Sequence, residues 1–164
     1  MREESKIISE ITKSESRLLY YLPEEIERAF AEGRGVVIRD GEKLVGFGLW
    51  DFYRDWTELH TLYIAPEYRG RGYLKKIVAE AAEKLKNQGR TNKLFLFTLA
   101  PRVASVAAAH RFKNASYFSL PLKTWLAIGK ARANPKKLFA YFKHGFYIVD
   151  AIRAQLWVLD NSAI

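Results

Sequence analysis

Residues 57–99 constrain this chain more than any other stretch. Thr57 to Ile64 reads as a β-strand closed by Ala65-Pro66, and glycines follow at 70 and 72. From 73 to 88 the apolar residues Ile77, Val78, Ala81, Ala82 and Leu85 fall on one helical face, and lysines and glutamates cover the rest. Gly89 ends that helix, and Leu94 to Leu99 is a continuous apolar run, as expected of a strand covered on both faces. A strand, a crossover helix and a second strand make two parallel neighbours in one sheet. The chain is therefore expected to be an α/β protein with at least one parallel strand pair.

Around this unit the pattern is mixed. Residues 3–15 and 23–32 read as helices. The second opens at Pro23, with Glu24 and Glu25 in its first turn, where acidic side chains suit the helix dipole. Val36–Arg39 and Lys43–Tyr53, joined at Asp40-Gly41, form an antiparallel hairpin. Beyond Pro101, residues 102–113 and 135–144 read as helices, and the stretch between them, with Pro121, Gly129 and Pro135, reads as broken. Phe146–Val149 and Gln155–Leu159 are expected to close the fold as a pair of strands. With 164 residues, 49% hydrophobic and 27% charged, one domain spanning 1–164 is expected, with its core at 35–99.

Several functions fall away on composition. The chain has no cysteine, which removes disulfides, thiolate metal sites and a cysteine nucleophile. No metal is expected. The charged N-terminus lacks the apolar core of a secretory signal and no stretch is apolar enough to span a bilayer, so a cytoplasmic location without membrane contact is expected. The net charge of +9 is concentrated late: residues 101–153 carry ten Lys and Arg against one acid, Asp150. That segment is either a solvated basic face or a landing surface for a polyanion or acidic partner.

The turn Arg69-Gly70-Arg71-Gly72-Tyr73-Leu74 carries the chemistry. Glycine lets the backbone turn sharply and approach a ligand with no Cβ in between. The first amides of the following helix lack intrahelical partners, and with the helix dipole they favour phosphate oxygens. Arg69 and Arg71 add to that preference. No Gly-Lys-Ser/Thr is present, so the turn is not a Walker loop.

Here the sequence resembles the GNAT superfamily of acyl-CoA-dependent N-acyltransferases, whose signature runs Arg/Gln-x-x-Gly-x-Gly/Ala. Arg69 to Tyr73 match its first five positions, and Leu74 replaces the small residue at the sixth. The resemblance covers residues 35–99 and is strongest at 57–90. It implies a mixed, splayed central sheet flanked by helices, here with a basic, partly helical C-terminal insertion. It also implies acetyl-CoA or another acyl-CoA as co-substrate. The pantetheine arm would lie along Leu62, Tyr63 and Ile64 of a bulged strand, with an exposed amide near Tyr63 or Ile64 stabilising the thioester oxygen.

The catalytic expectations rest on the same resemblance. Direct transfer to an amine needs a base for the amine and a proton for the departing thiolate. Glu58 occupies the position of a general base in some family members, with His60 as the alternative. Strand alternation would put Glu58, His60, Leu62 and Ile64 on one face. For the acid, Tyr141 in Tyr-Phe-Lys-His-Gly-Phe resembles the ending of the family's last helix, with Asn134 near its start. A second register takes 102–113 as that helix and puts Lys113 at the tyrosine position. The leading function is an N-acyltransferase, most simply an N-acetyltransferase. The alternatives are an acyl-CoA-binding module with little turnover, and a nucleic-acid-associated module using 101–153 and its aromatic residues.

Overall fold

A computed structural model of the protein describes residues 2–15, 18–90, 93–132 and 153–160. Two helices lead, α1 (Arg2–Ser14) and α2 (Pro23–Ala31). Pro23 opens α2, and the Glu25 carboxylate accepts the amide N–H of Leu22 at 2.9 Å, satisfying one donor at the helix start. The strands β1 (Gly35–Asp40), β2 (Lys43–Tyr53) and β3 (Trp56–Ile64) follow as an antiparallel meander. Then come α3 (Tyr73–Asn87), β4 (Lys93–Thr98), α4 (Pro101–Ala109), β5 (Lys113–Ala115), α5 (Leu122–Arg132) and β6 (Gln155–Asp160). One six-stranded sheet runs β1-β2-β3-β4-β6-β5. The crossover expected from the sequence is present, because β3 and β4 are parallel neighbours around α3.

Both faces of the sheet are covered. On one, α3 and α4 bury Val36, Trp50, Leu59, Ile77, Leu85, Leu96 and Ala107. On the other, Ile8 of α1 and Ile26 and Ala29 of α2 pack on Phe47 and Leu49. Further along that second face, Ile128 of α5 joins Tyr53, Trp56, Phe95 and Leu156. Apolar burial on this scale is the main stabilising contribution, about 25 cal/mol per Å² removed from water.

Two features of the strands position the site. The parallel register between β3 and β4 covers only Thr57↔Leu94 and Glu58↔Phe95, so the strands splay beyond Glu58. Within β3, Phe47 faces Tyr63 while Leu49 faces His60, so three steps along β3 oppose two along β2. The extra residue is a β-bulge at Thr61, which adopts φ 52°. A left-handed backbone is costly for a β-branched residue.

The C-terminal third departs from the sequence reading. The stretch read as broken contains α5, which runs through Gly129 to Arg132. Propensity alone disfavours a helix there, but burial of Thr124 and Ile128 against the sheet supplies what propensity lacks. Strand β6 forms as expected, but its partners are β4, from Lys93↔Asp160 to Thr98↔Gln155, and the short β5. Residues 133–152, including the expected helix 135–144 and strand 146–149, lie outside the described residues.

Candidate functional site

The end of β3, the glycine turn after it and the start of α3 border the opening between β3 and β4. At its mouth lies the glycine turn. Gly70 and Gly72 adopt φ 83° and 84°, and a Cβ on either would meet no protein atom within 4 Å. The positive φ accounts for glycine by backbone conformation, and the open space leaves the backbone approachable. Gly72 caps α3 without any side-chain hydrogen bond, and the first turn of α3 holds no acidic residue. Its amides are thus available to an anion. The Arg69 Nε donates to the carbonyl of Ile64 at 3.1 Å, tying the turn to the end of β3. The Arg71 guanidinium lies over the Tyr68 ring, 5.4 Å from its centroid.

The bulge decides what each β3 residue faces. An added Cβ at Gly48 would touch Ile77 and Leu62, and one at Gly46 would touch Ile64 and Ile77, so Leu62 and Ile64 lie on the α3 face. Glu58 pairs with Asp51 and His60 with Leu49 on the opposite face, beneath α1 and α2. The expectation that Glu58, His60, Leu62 and Ile64 share one face is therefore wrong. The extra residue at Thr61 flips the alternation, as a one-residue slip must. Tyr63 stacks on Phe47 with centroids 5.2 Å apart.

Beneath α1 and α2, a polar cluster lies between the two apolar clusters of that face. The carboxylate of Asp51 pairs with Arg34 Nη1 and lies 3.3 Å from His60 Nε2. Tyr21 donates to Asp51 Oδ2 at 3.3 Å and stacks on the His60 ring at 5.3 Å and 4°. The other His60 nitrogen, Nδ1, meets Thr61 Oγ1 at 2.8 Å, so the bulge residue helps orient the imidazole. Burial alone would raise the Asp51 pKa, but His60 and then Arg34 outweigh it and hold the carboxyl well below its ordinary range. Burial first, then Asp51 and Glu58, pushes the Tyr21 hydroxyl up. Burial and the Glu58 charge do the same for Tyr53, so both phenols stay protonated.

Glu58 is almost fully enclosed, at 1% exposure. Its Oε1 accepts Arg132 Nη2 at 2.5 Å, while Oε2 and the Arg132 Nε are buried without a hydrogen-bond partner among the described residues. Burial works against the Arg132 charge, but Glu58, with smaller contributions from Tyr53 and Tyr21, outweighs it and the guanidinium pKa is raised. Arg132 therefore does not belong to an exposed basic face, where its place in the 101–153 segment had put it. It comes from the last turn of α5, 74 positions from Glu58, and no sequence signal links the two. The cations Arg102, Arg111, Lys113, Lys123 and Lys130 are exposed, as a solvated face requires.

A cavity of about 120 Å³ opens onto this cluster, lined by Tyr21, Arg28, Arg34, Asp51, Tyr53 and Arg132 among others. Sequence reasoning found Glu58 and His60 but missed Tyr21, Arg34, Asp51 and Tyr53. The alternating pattern of β2 could have suggested Asp51 and Tyr53. Helix α4 follows β4 after two residues, the short connection that the register over 102–113 requires. Lys113 itself begins β5, on the sheet's far edge, with β6 between it and β4. Tyr141 and Asn134 lie outside the described residues. Among the described residues no group of three His, Asp or Glu is placed to hold a metal ion, and no helix is long and apolar enough to cross a membrane.

A splayed mixed sheet, a bulged strand and a glycine cradle at the opening define an acetyltransferase-type fold. The chain belongs to the Acetyltransferase (GNAT) family, whose profile matches residues 5–113. Among characterised proteins it is similar to the thialysine N-epsilon-acetyltransferase of Mus musculus, 41% identical over 54 residues; this match spans 30% of this chain and about a third (32%) of that protein. Among solved structures it resembles a Mycobacterium tuberculosis protein in complex with CoA, with TM-score 0.71, 15% identity, and 98% of this chain and 95% of that one covered. It also resembles N-acetylglutamate synthase from Neisseria gonorrhoeae complexed with coenzyme A and N-acetyl-glutamate, with TM-score 0.64, 16% identity, and 96% of this chain and 32% of that one covered. A third likeness is to a phosphinothricin acetyltransferase from Sinorhizobium meliloti in complex with AcCoA, with TM-score 0.59, 17% identity, and 71% of this chain and 73% of that one covered. At these identities the structural likeness establishes the fold.

Proposed function

We propose that the protein is an N-acetyltransferase that takes its acetyl group from acetyl-CoA and passes it directly to an amine. The observation that carries this reading is the two-sidedness of β3. One end leads through the splay into an uncapped glycine cradle, and the same strand buries a carboxylate beside a polar cavity on the far face. The cradle fits a pyrophosphate: two glycines with positive φ and open space, free helix amides, and two arginines. The relatives solved with CoA or AcCoA support the same ligand.

In this reading the amides of residues 70–74, with Arg69 and Arg71, hold the phosphates. The unpaired edge of Leu62, Tyr63 and Ile64 receives the pantetheine arm, and an amide there stabilises charge on the carbonyl oxygen. Acetyl-CoA, when bound, supplies a thioester whose carbonyl carbon becomes bonded to the amine nitrogen as the C–S bond breaks. Glu58 takes the proton that the nitrogen loses, and Tyr141 gives one to the sulfur. The enclosure of Glu58 keeps bulk water from competing for that proton.

Thermal denaturation with acetyl-CoA tests binding, since ligand at about 100 times its Kd adds about 2.7 kcal/mol of stability. Thiol release in the presence of amines tests transfer. Tyr141→Phe should leave CoA affinity unchanged and slow turnover about 10²- to 10⁴-fold. Stabilisation by acetyl-CoA with no thiol release from any amine would favour a binding module instead.

A further inference from the structure

Neighbouring side chains in a regular β-strand point to opposite faces, so two of them cannot hydrogen-bond to each other. His60 and Thr61 do: the imidazole Nδ1 lies 2.8 Å from the Thr61 Oγ1, and both residues are buried. The contact exists because Thr61 is the bulge residue, which turns its side chain to the His60 face. Its backbone is unusual for a strand. Among the described residues, three that are not glycine adopt positive φ, and the other two, Arg54 and Arg111, are exposed turn residues. A β-branched residue in that conformation inside a sheet persists only when its surroundings over-determine it.

Here they do so through a chain of contacts. The Asp51 carboxylate at Nε2 holds the imidazole proton there, which leaves Nδ1 to accept the Thr61 hydroxyl. Arg34, which also pairs with Glu32, anchors Asp51, and the Tyr21 ring lies flat on the imidazole. Tyr21 is itself pinned by its backbone: its N–H donates to Thr12 Oγ1 at 3.2 Å, and its carbonyl accepts Ser9 Oγ at 2.8 Å. Those two hydroxyls occupy the buried face of α1, where apolar side chains are the rule. The brace thus runs from α1 through Tyr21 and His60 to one residue of β3.

What the bulge controls is the open edge of that strand. In an antiparallel pair the backbone groups of successive residues point alternately toward the partner strand and away from it. Phe47 faces Tyr63 because one extra residue stands at 61; in an unbulged strand it would face Leu62. Losing the bulge therefore exchanges which of the 62–64 amides pair with β2 and which point into the splay, where β4 no longer pairs.

We infer that Thr61 and His60 are positioning residues: their hydrogen bond, braced by Asp51 and Tyr21, locks β3 in the register that aims a 62–64 amide at the thioester carbonyl. This rests on the transferase reading above. Both residues act through the backbone rather than by touching acetyl-CoA.

Three substitutions at 61 separate the hydroxyl from the backbone. Thr61→Ser keeps the hydroxyl, and Thr61→Ala removes it but keeps a Cβ. Thr61→Gly removes both, yet glycine takes φ 52° without strain. NMR of the ligand-free protein reads the register, from cross-strand contacts of Phe47 with Tyr63 when bulged or with Leu62 when slipped. Thr61→Ser should match wild type. Thr61→Ala should populate the slipped register and lower kcat in thiol release about tenfold or more. Its acetyl-CoA Kd should stay within about threefold, because the phosphates are held at 70–74. His60→Phe, which keeps a ring under Tyr21, breaks the same bond from the other side and should slip likewise. Thr61→Gly should keep the bulge and recover most of the lost rate. A packing role would do the reverse, since glycine leaves the larger void. A bulged Thr61→Ala with wild-type kcat, or a Thr61→Gly as slow as Thr61→Ala, would overturn the inference. Slippage without any change in kcat would overturn it too, and would leave the transferase reading standing. Slippage in Thr61→Ala and His60→Phe, with no acetyl-CoA binding or thiol release by wild type, would uphold the lock and overturn the transferase reading.

Discussion

The cradle at 70–74 can be tested by separating the cost of a side chain to the fold from its cost to the ligand. Gly72 and Gly89 both adopt positive φ, 84° and 66°, and a Cβ on either would meet no protein atom within 4 Å. Alanine at either position pays the same backbone penalty and makes no clash. A left-handed conformation costs an L-residue roughly 1–2 kcal/mol. For a chain of this length, 1 kcal/mol moves Tm by about 2–4 °C, so each variant should melt about 2–8 °C low. They differ in what surrounds the new methyl group. At 72 it would stand at the start of α3, between the helix amides and the phosphate that they are placed to bind. At 89 it stands past the other end of that helix. Gly72→Ala should therefore weaken acetyl-CoA binding at least about tenfold, worth about 1.4 kcal/mol, and Gly89→Ala less than twofold. Gly72→Glu adds charge repulsion and should abolish binding in a protein that still folds. Isothermal calorimetry on both alanine variants decides the matter. Equal Kd values for Gly72→Ala and Gly89→Ala would refute the argument that the turn is a phosphate cradle.

Three further outcomes follow from the geometry. Glu58→Gln should leave acetyl-CoA affinity unchanged and slow transfer about 10²- to 10⁴-fold in steady-state thiol release; an unaffected rate would exclude Glu58 as the base. Asp51 has its folded pKa lowered from an ordinary value of 3.8, so its contribution to stability is present above the unfolded pKa and lost as pH falls through the folded one. The advantage of wild type over Asp51→Asn should accordingly be full near pH 6 and shrink below about pH 4, read from denaturant midpoints. Gly46→Ala would put a Cβ 2.5 Å from the carbonyl oxygen of Tyr63, which no rotamer change relieves, so β3 must shift. A loss of about 1–3 kcal/mol in chemical denaturation is expected, together with weaker acetyl-CoA binding, because that strand borders the splay.

Local periodicity and turn chemistry determined a good part of this protein. The α3 stripe, the run at 94–98 and the glycines at 70 and 72 place a crossover and an anion-favouring helix start from neighbouring residues alone. Such features act over a few positions, which is why they can be read in one dimension. Glu58 as a candidate was legible too, through the resemblance carried by the motif that follows it. What tertiary structure decided is the environment of each candidate. One extra residue at Thr61 reversed which face Leu62 and Ile64 present, and only the pairing of β3 with β2 reveals it. Glu58 is enclosed because α5 folds across the sheet and brings Arg132 to it over 74 positions, which its place on a strand does not reveal. The same packing removes Arg132 from the basic surface that composition implied. Charge counted along a chain records neither partner nor burial, because an ion pair forms wherever the fold makes removing two charges from water tolerable. The pocket of Tyr21, Arg34, Asp51 and Tyr53 has the same origin: its residues come from the α1–α2 connection, the α2–β1 turn and β2, and they meet only once helices cover the sheet.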